Sequence, residues 1–141
     1  MKFIENLRLL RFTIAFDFLI NAPHDIPKTA QNLIENAKNN LCLSIVSVWE
    51  MSIQAAQQKI TFAKPFQEAI HEELRKHDIT LIELSVEDTH AQASMPFLNI
   101  HGKLHKDPFD RIIIAQAIQR KLPILSCDSK FPSYPIQVFW D

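Results

Sequence analysis

Short apolar runs alternate with amphipathic stretches along the chain, and this alternation restricts the possible folds more than any other feature. The apolar runs are Leu7–Ile14, Leu41–Val46, Thr80–Leu84, Pro123–Cys127 and Ile136–Trp140. Between them, Pro27–Lys38 places Ala30, Leu33, Ile34 and Ala37 on one helical face. Ser47–Gln58, Pro65–His77, Val86–Ser94 and Pro108–Lys121 also read as helices, with proline well suited to a helix start. Strands separated by helices require crossover connections. The expected fold class is therefore α/β: a three-layer α/β/α domain around a mainly parallel sheet of about five strands. With 141 residues and neither a repeat nor a linker, a single domain spanning 1–141 is expected. The chain has one glycine, Gly102, so its turns must rely on Asn, Asp, Pro and Ser.

Composition narrows the function classes. The hydrophobic fraction of 47% and charged fraction of 22% are ordinary for a globular protein and argue against disorder. A formal net charge of -1 provides no global field toward nucleic acid or anionic lipid, so any RNA contact must come from a local basic patch. Cys42 and Cys127 lie inside apolar runs, which suits a reducing compartment better than a disulfide framework. Arg8, Arg11 and Asp17 interrupt the stretch Leu7–Ala22 and argue against a membrane span. No uninterrupted apolar core with a small-residue cleavage site is seen. A cytoplasmic location is expected.

In parallel sheets, sites form beyond the carboxyl ends of the strands, near a topological switch point. Three acids fall there. Glu50 follows the run Leu41–Val46, Asp110 lies in the first turn of the Pro108 helix, and Asp128 directly follows Pro123–Cys127. Carboxylates converging from separate elements suit a hard cation such as Mg²⁺ or Mn²⁺. Each acid also fits a local role. Ser47-Val48-Trp49-Glu50 reads as a capping box, Asp107-Pro108-Phe109-Asp110 as an N-cap with proline at N1, and Asp128-Ser129 as an Asx-turn. The six histidines show no zinc spacing, and no phosphate-binding glycine loop is present.

Taken together, Ser44-Ile45-Val46-Ser47-Val48-Trp49-Glu50, His105-Lys106-Asp107-Pro108-Phe109-Asp110-Arg111 with Ile114-Ala115-Gln116-Ala117, and Leu122 to Phe131 resemble the PIN-domain toxin ribonucleases of the VapC type. The similarity runs from about Pro27 to Trp140. The resemblance implies a Mg²⁺-dependent endoribonuclease, the toxin of a toxin–antitoxin pair, with RNA as substrate, an antitoxin as protein partner and a homodimeric state. Carried over by position, Glu50, Asp110 and Asp128 become catalytic and metal-binding, and Asp107 an accessory acid that caps the helix and holds a metal-bound water. Arg111 would orient Asp110 or touch phosphate, with a surface salt bridge as the competing reading. His105 and Lys106 would meet substrate phosphate, together with His101 and Lys103.

One position departs from the pattern. The family's first acid closes the first strand, and the corresponding stretch here, Leu9-Leu10-Arg11-Phe12-Thr13, carries Phe12 in that place. Asp17 is the nearest carboxylate and a further candidate ligand, although a solvated helix residue explains it as well. The competing function is therefore a catalytically impaired PIN-fold protein that retains antitoxin binding or self-association. A flavodoxin-like small-molecule domain is a third reading, and the missing glycine-rich loop opposes it.

Overall fold

The computed structural model describes residues 8–11 and 13–141, with side chains from Phe16 onward. Phe12 lies outside the described residues. Five strands form one sheet: β1 (Arg8–Arg11), β2 (Asn40–Ser44), β3 (Thr80–Ile82), β6 (Ile124–Leu125) and β7 (Val138–Phe139), in the order β3-β2-β1-β6-β7. Every pairing within it is parallel; Leu10 faces Cys42 on one side and Ile124 on the other. The helices are α1 (Thr13–Asn21), α2 (Lys28–Glu35), α3 (Ile45–Ala56), α4 (Phe66–Lys76), α5 (Val86–Ser94) and α6 (Pro108–Arg120).

The alternation of side chains along a strand splits the core in two. On β2, Leu41 and Leu43 join Phe16, Ala30, Leu33, Ile34, Met51 and Ile70 in one cluster. Cys42, between them, joins Ile112, Ile113, Ile114, Phe131 and Tyr134 in the other. Ile124 and Leu125 on β6 divide the same way. Helices α1, α2 and α4 thus cover one face and α6 the other, giving the expected three layers.

Element boundaries shift where side chains compete for the backbone. The first strand stops at Arg11, and Thr13 and Ile14 belong to α1. Helix α3 begins two residues earlier than expected, because the Ser44 hydroxyl accepts the Val46 amide at 3.1 Å and caps the helix. Ser47 and Glu50 therefore form no capping box, and Glu50 lies in the second turn. Helix α2 ends at Glu35 because the Asn36 side chain accepts the Lys38 amide at 3.0 Å, which leaves Ala37 exposed. A hairpin of β4 (Asn99–Ile100) and β5 (Lys103–Leu104) has no counterpart in the sequence reading. His101 and Gly102 turn it with φ of 53° and 80°, the two left-handed residues of a tight hairpin turn.

Helices α5 and α6 are clamped through Asp88, which is fully buried. Arg120 grips both carboxylate oxygens at 2.6 and 3.1 Å, and Gln116 and Gln119 donate to them at 3.1 and 3.3 Å. Burial opposes ionisation, but Arg120, the Ser85 amide and Gln116 outweigh it and hold the carboxyl at about 2. The stabilisation is thus complete above the ordinary carboxylate range and is lost as pH falls toward 2. Asp88→Ala removes the carboxylate that pairs with the guanidinium and accepts from both glutamine amides. It is expected to lower unfolding stability by about 3 kcal/mol at neutral pH, read as a shift in the urea midpoint with unchanged slope.

Candidate active site

Strand order runs outward from β1 in both directions, through β2 to β3 and through β6 to β7. The crevice beyond the carboxyl ends of β1 and β6 is therefore the switch point. Asp128 follows β6 by three residues, and Asp110 lies in the first turn of α6. Helix α3, which carries Glu50, leaves directly from the carboxyl end of β2.

Asp110 is the centre of this arrangement. The residue is 5% exposed and its Oδ2 lies 3.0 Å from His105 Nε2. The other imidazole nitrogen, Nδ1, lies 2.6 Å from the Tyr134 hydroxyl. The Asp110 amide donates to Asp107 Oδ1 at 3.0 Å, so Asp107 is the N-cap of α6. Burial pushes the Asp110 carboxyl up from 3.8 to about 6, and the negative charges of Asp107 and Asp128 push the same way. The His105 hydrogen bond opposes them and does not prevail.

Asp128 stands at the turn after β6. Its Oδ1 accepts the Lys130 amide at 2.9 Å and the Lys130 ammonium approaches to 3.2 Å, so the Asx-turn is present. Glu50 is half-buried on α3. The residue before it, Trp49, packs its ring against Phe109 at 5.0 Å, which joins the first half of α3 to the start of α6. Trp49 remains 59% exposed.

The basic residues separate into two groups. His101, Lys103 and Lys106 are exposed, with His101 Nε2 3.1 Å from the Ser129 hydroxyl. His105 is buried with both ring nitrogens engaged by protein, so it is not part of that surface. Arg111 is likewise 4% exposed and makes no surface salt bridge. Its guanidinium donates to the carbonyls of Gln92, Met95 and Pro96 at 2.9 to 3.3 Å and lies 4.1 Å from the Phe97 ring centre. Asp17 accepts a hydrogen bond from Asn21 one turn later at 2.6 Å, as a helix-surface residue does. Tyr134 was not singled out from the sequence. It is the chain's one tyrosine, set between Ser133 and Pro135, and no motif marks it.

The chemistry of these donors fits a hard divalent cation: they are carboxylates, and burial of Asp110 together with the negative charges of Asp107 and Asp128 raises its value. Their geometry fits it incompletely: among the described residues, no three His, Cys, Asp or Glu side chains are grouped to hold a metal ion. The cause is local. Asp107 caps a helix, Asp128 turns toward Lys130, and His105 engages one oxygen of Asp110. Among the described residues no helix is long and apolar enough to cross a membrane.

Comparison with known proteins gives this arrangement a family. No curated protein matches the sequence. Solved structures resemble the fold: VapBC2 from Rickettsia felis bound to a DNA fragment from their promoter has a TM-score of 0.70 at 19% identity, covering 96% of this chain and 100% of that one. VapBC-1 from nontypeable Haemophilus influenzae has a TM-score of 0.61 at 12% identity, covering 94% and 96%. FitAcB from Neisseria gonorrhoeae has a TM-score of 0.57 at 17% identity, covering 93% and 96%. The PIN domain model matches residues 13–137. The chain therefore belongs to the PIN-domain family.

Proposed function

We propose that this protein is a metal-dependent endoribonuclease, the toxin of a toxin–antitoxin pair, acting on RNA phosphodiester bonds. The observation that carries the reading is the buried Asp110 carboxyl at the switch point, lifted to about 6 with the charges of Asp107 and Asp128 contributing. Like charges held together in a partly dry crevice are stabilised by a cation. Asp110 and Asp128, with Glu50 from the neighbouring helix, would hold Mg²⁺ or Mn²⁺. When bound there, such a cation neutralises phosphate charge and makes water a better nucleophile. Asp107 fixes the first turn of α6 and so the direction of Asp110. The exposed Lys103 and Lys106 are placed to meet the RNA backbone. The fold neighbours are VapBC and FitAcB assemblies, which supports an antitoxin as partner. Homodimerisation and a cytoplasmic location belong to the same reading, as does one domain for the whole chain.

Phe12 favours a second reading, in which the fold and the antitoxin surface persist and cleavage is impaired. The family's first acid is absent at that position, so the site has one ligand fewer. Cleavage of a structured RNA in Mn²⁺ separates the two. Under the first reading Asp110→Asn, Asp128→Asn and Glu50→Gln each lower the rate at least a hundredfold. Under the second the parent is inactive, and Phe12→Asp raises both Mn²⁺ affinity and cleavage.

The raised Asp110 value also sets the pH dependence of stability. A carboxyl whose folded value exceeds its unfolded one favours the folded state at low pH, and this contribution is lost as pH rises through the folded value. Stability is expected to fall by about 2 kcal/mol between pH 4 and pH 6 from this group. Asp110→Asn should flatten that slope in urea unfolding. Added Mn²⁺ should restore stability above pH 6 in the parent and not in the variant.

A further inference from the structure

The buried polar chain behind Asp110 has a direction. Arg111 donates its guanidinium N–H groups to three carbonyls at the end of α5, and its hydrogen bonding and positive charge act on the Tyr134 hydroxyl as well. A guanidinium offers donors and no acceptor. The Tyr134 proton therefore cannot point toward Arg111, and the acceptor within reach is His105 Nδ1 at 2.6 Å. An Nδ1 that accepts leaves the imidazole proton on Nε2, which donates to Asp110 Oδ2 at 3.0 Å. Each link has its polarity set by the one before it, and the first is anchored to backbone.

From this geometry we propose that Tyr134 is a positioning residue: it holds His105 as the Nε2–H tautomer, and His105 in turn holds the Asp110 carboxylate in one orientation. The consequence is that Oδ2 is committed to protein and Oδ1 is the oxygen presented to a cation. The significance for metal binding rests on the nuclease reading; the tautomer does not. Arg111 orients the tyrosine, which explains why a guanidinium lies buried beside an acidic crevice. His105 thus serves Asp110 and makes no contact with substrate.

Tyr134→Phe tests this without disturbing the ring, which packs edge-on to His105 at 5.7 Å. Long-range proton–nitrogen NMR near neutral pH should show a bare Nδ1 and a protonated Nε2 in the parent, and a mixture of tautomers in the variant. Mn²⁺ affinity by calorimetry should fall about tenfold in Tyr134→Phe. His105→Gln, which keeps a donor near the Nε2 position, should retain affinity that His105→Ala loses. A protonated Nδ1 in the parent, or a tautomer unchanged in Tyr134→Phe, overturns the proposal. If the parent binds no Mn²⁺, the nuclease reading fails, while the nitrogen shifts still decide the role of Tyr134.

Discussion

Strand β1 is hydrogen-bonded on both edges, to β2 and to β6, and the two halves of the sheet grow away from it in opposite directions. Helices leaving on either side cannot close over the carboxyl end of such a strand, so a crevice remains there. Asp110 at the start of α6 and Asp128 after β6 lie close enough for their charges to interact, and α3, which carries Glu50, leaves the carboxyl end of β2. The apolar clusters on the two faces pack these elements against the sheet, and Asp110 and Asp128 are carried at their ends. The site is a consequence of the packing order.

Within the crevice, structural and chemical roles share the same atoms. Asp107 satisfies a free amide at a helix start, and its negative charge raises the carboxyl of Asp110. Asp128 closes a turn through Lys130 and exerts the same effect. Cap and candidate ligand are therefore not alternatives. A carboxylate at a helix start or a strand-end turn has its backbone fixed by the cap, which is the rigidity an ion site requires.

Burial reassigns two residues that look alike in sequence. His105 and Lys106 are neighbours, yet one faces the core and the other solvent. Arg111 follows Asp110 and points to the end of α5, where the Gln92 and Met95 carbonyls accept its donors. A basic run read along the chain is thus two populations in space, one exposed to solvent and one buried among hydrogen-bond partners.

The alternation of apolar runs and helical stretches, with one glycine and no linker, was enough for a parallel sheet covered on both faces, because crossover geometry leaves little else for such a pattern. The positions of Asp110 at a helix start and Asp128 after a strand were legible for the same reason, whereas Glu50 lies a full turn inside α3. Helix boundaries were less so: Ser44 and Ser47 both suit a cap, and only the folded backbone chose Ser44. The hairpin at His101-Gly102 was missed because strands of two residues have no measurable period. The link from Tyr134 to His105 spans 29 positions, and no local spacing encodes it. It exists because Phe131 and Tyr134 pack into the cluster that also buries α6. Periodicity determined the layers, but long-range packing decided which polar groups were withdrawn from water, and so which of them act on Asp110.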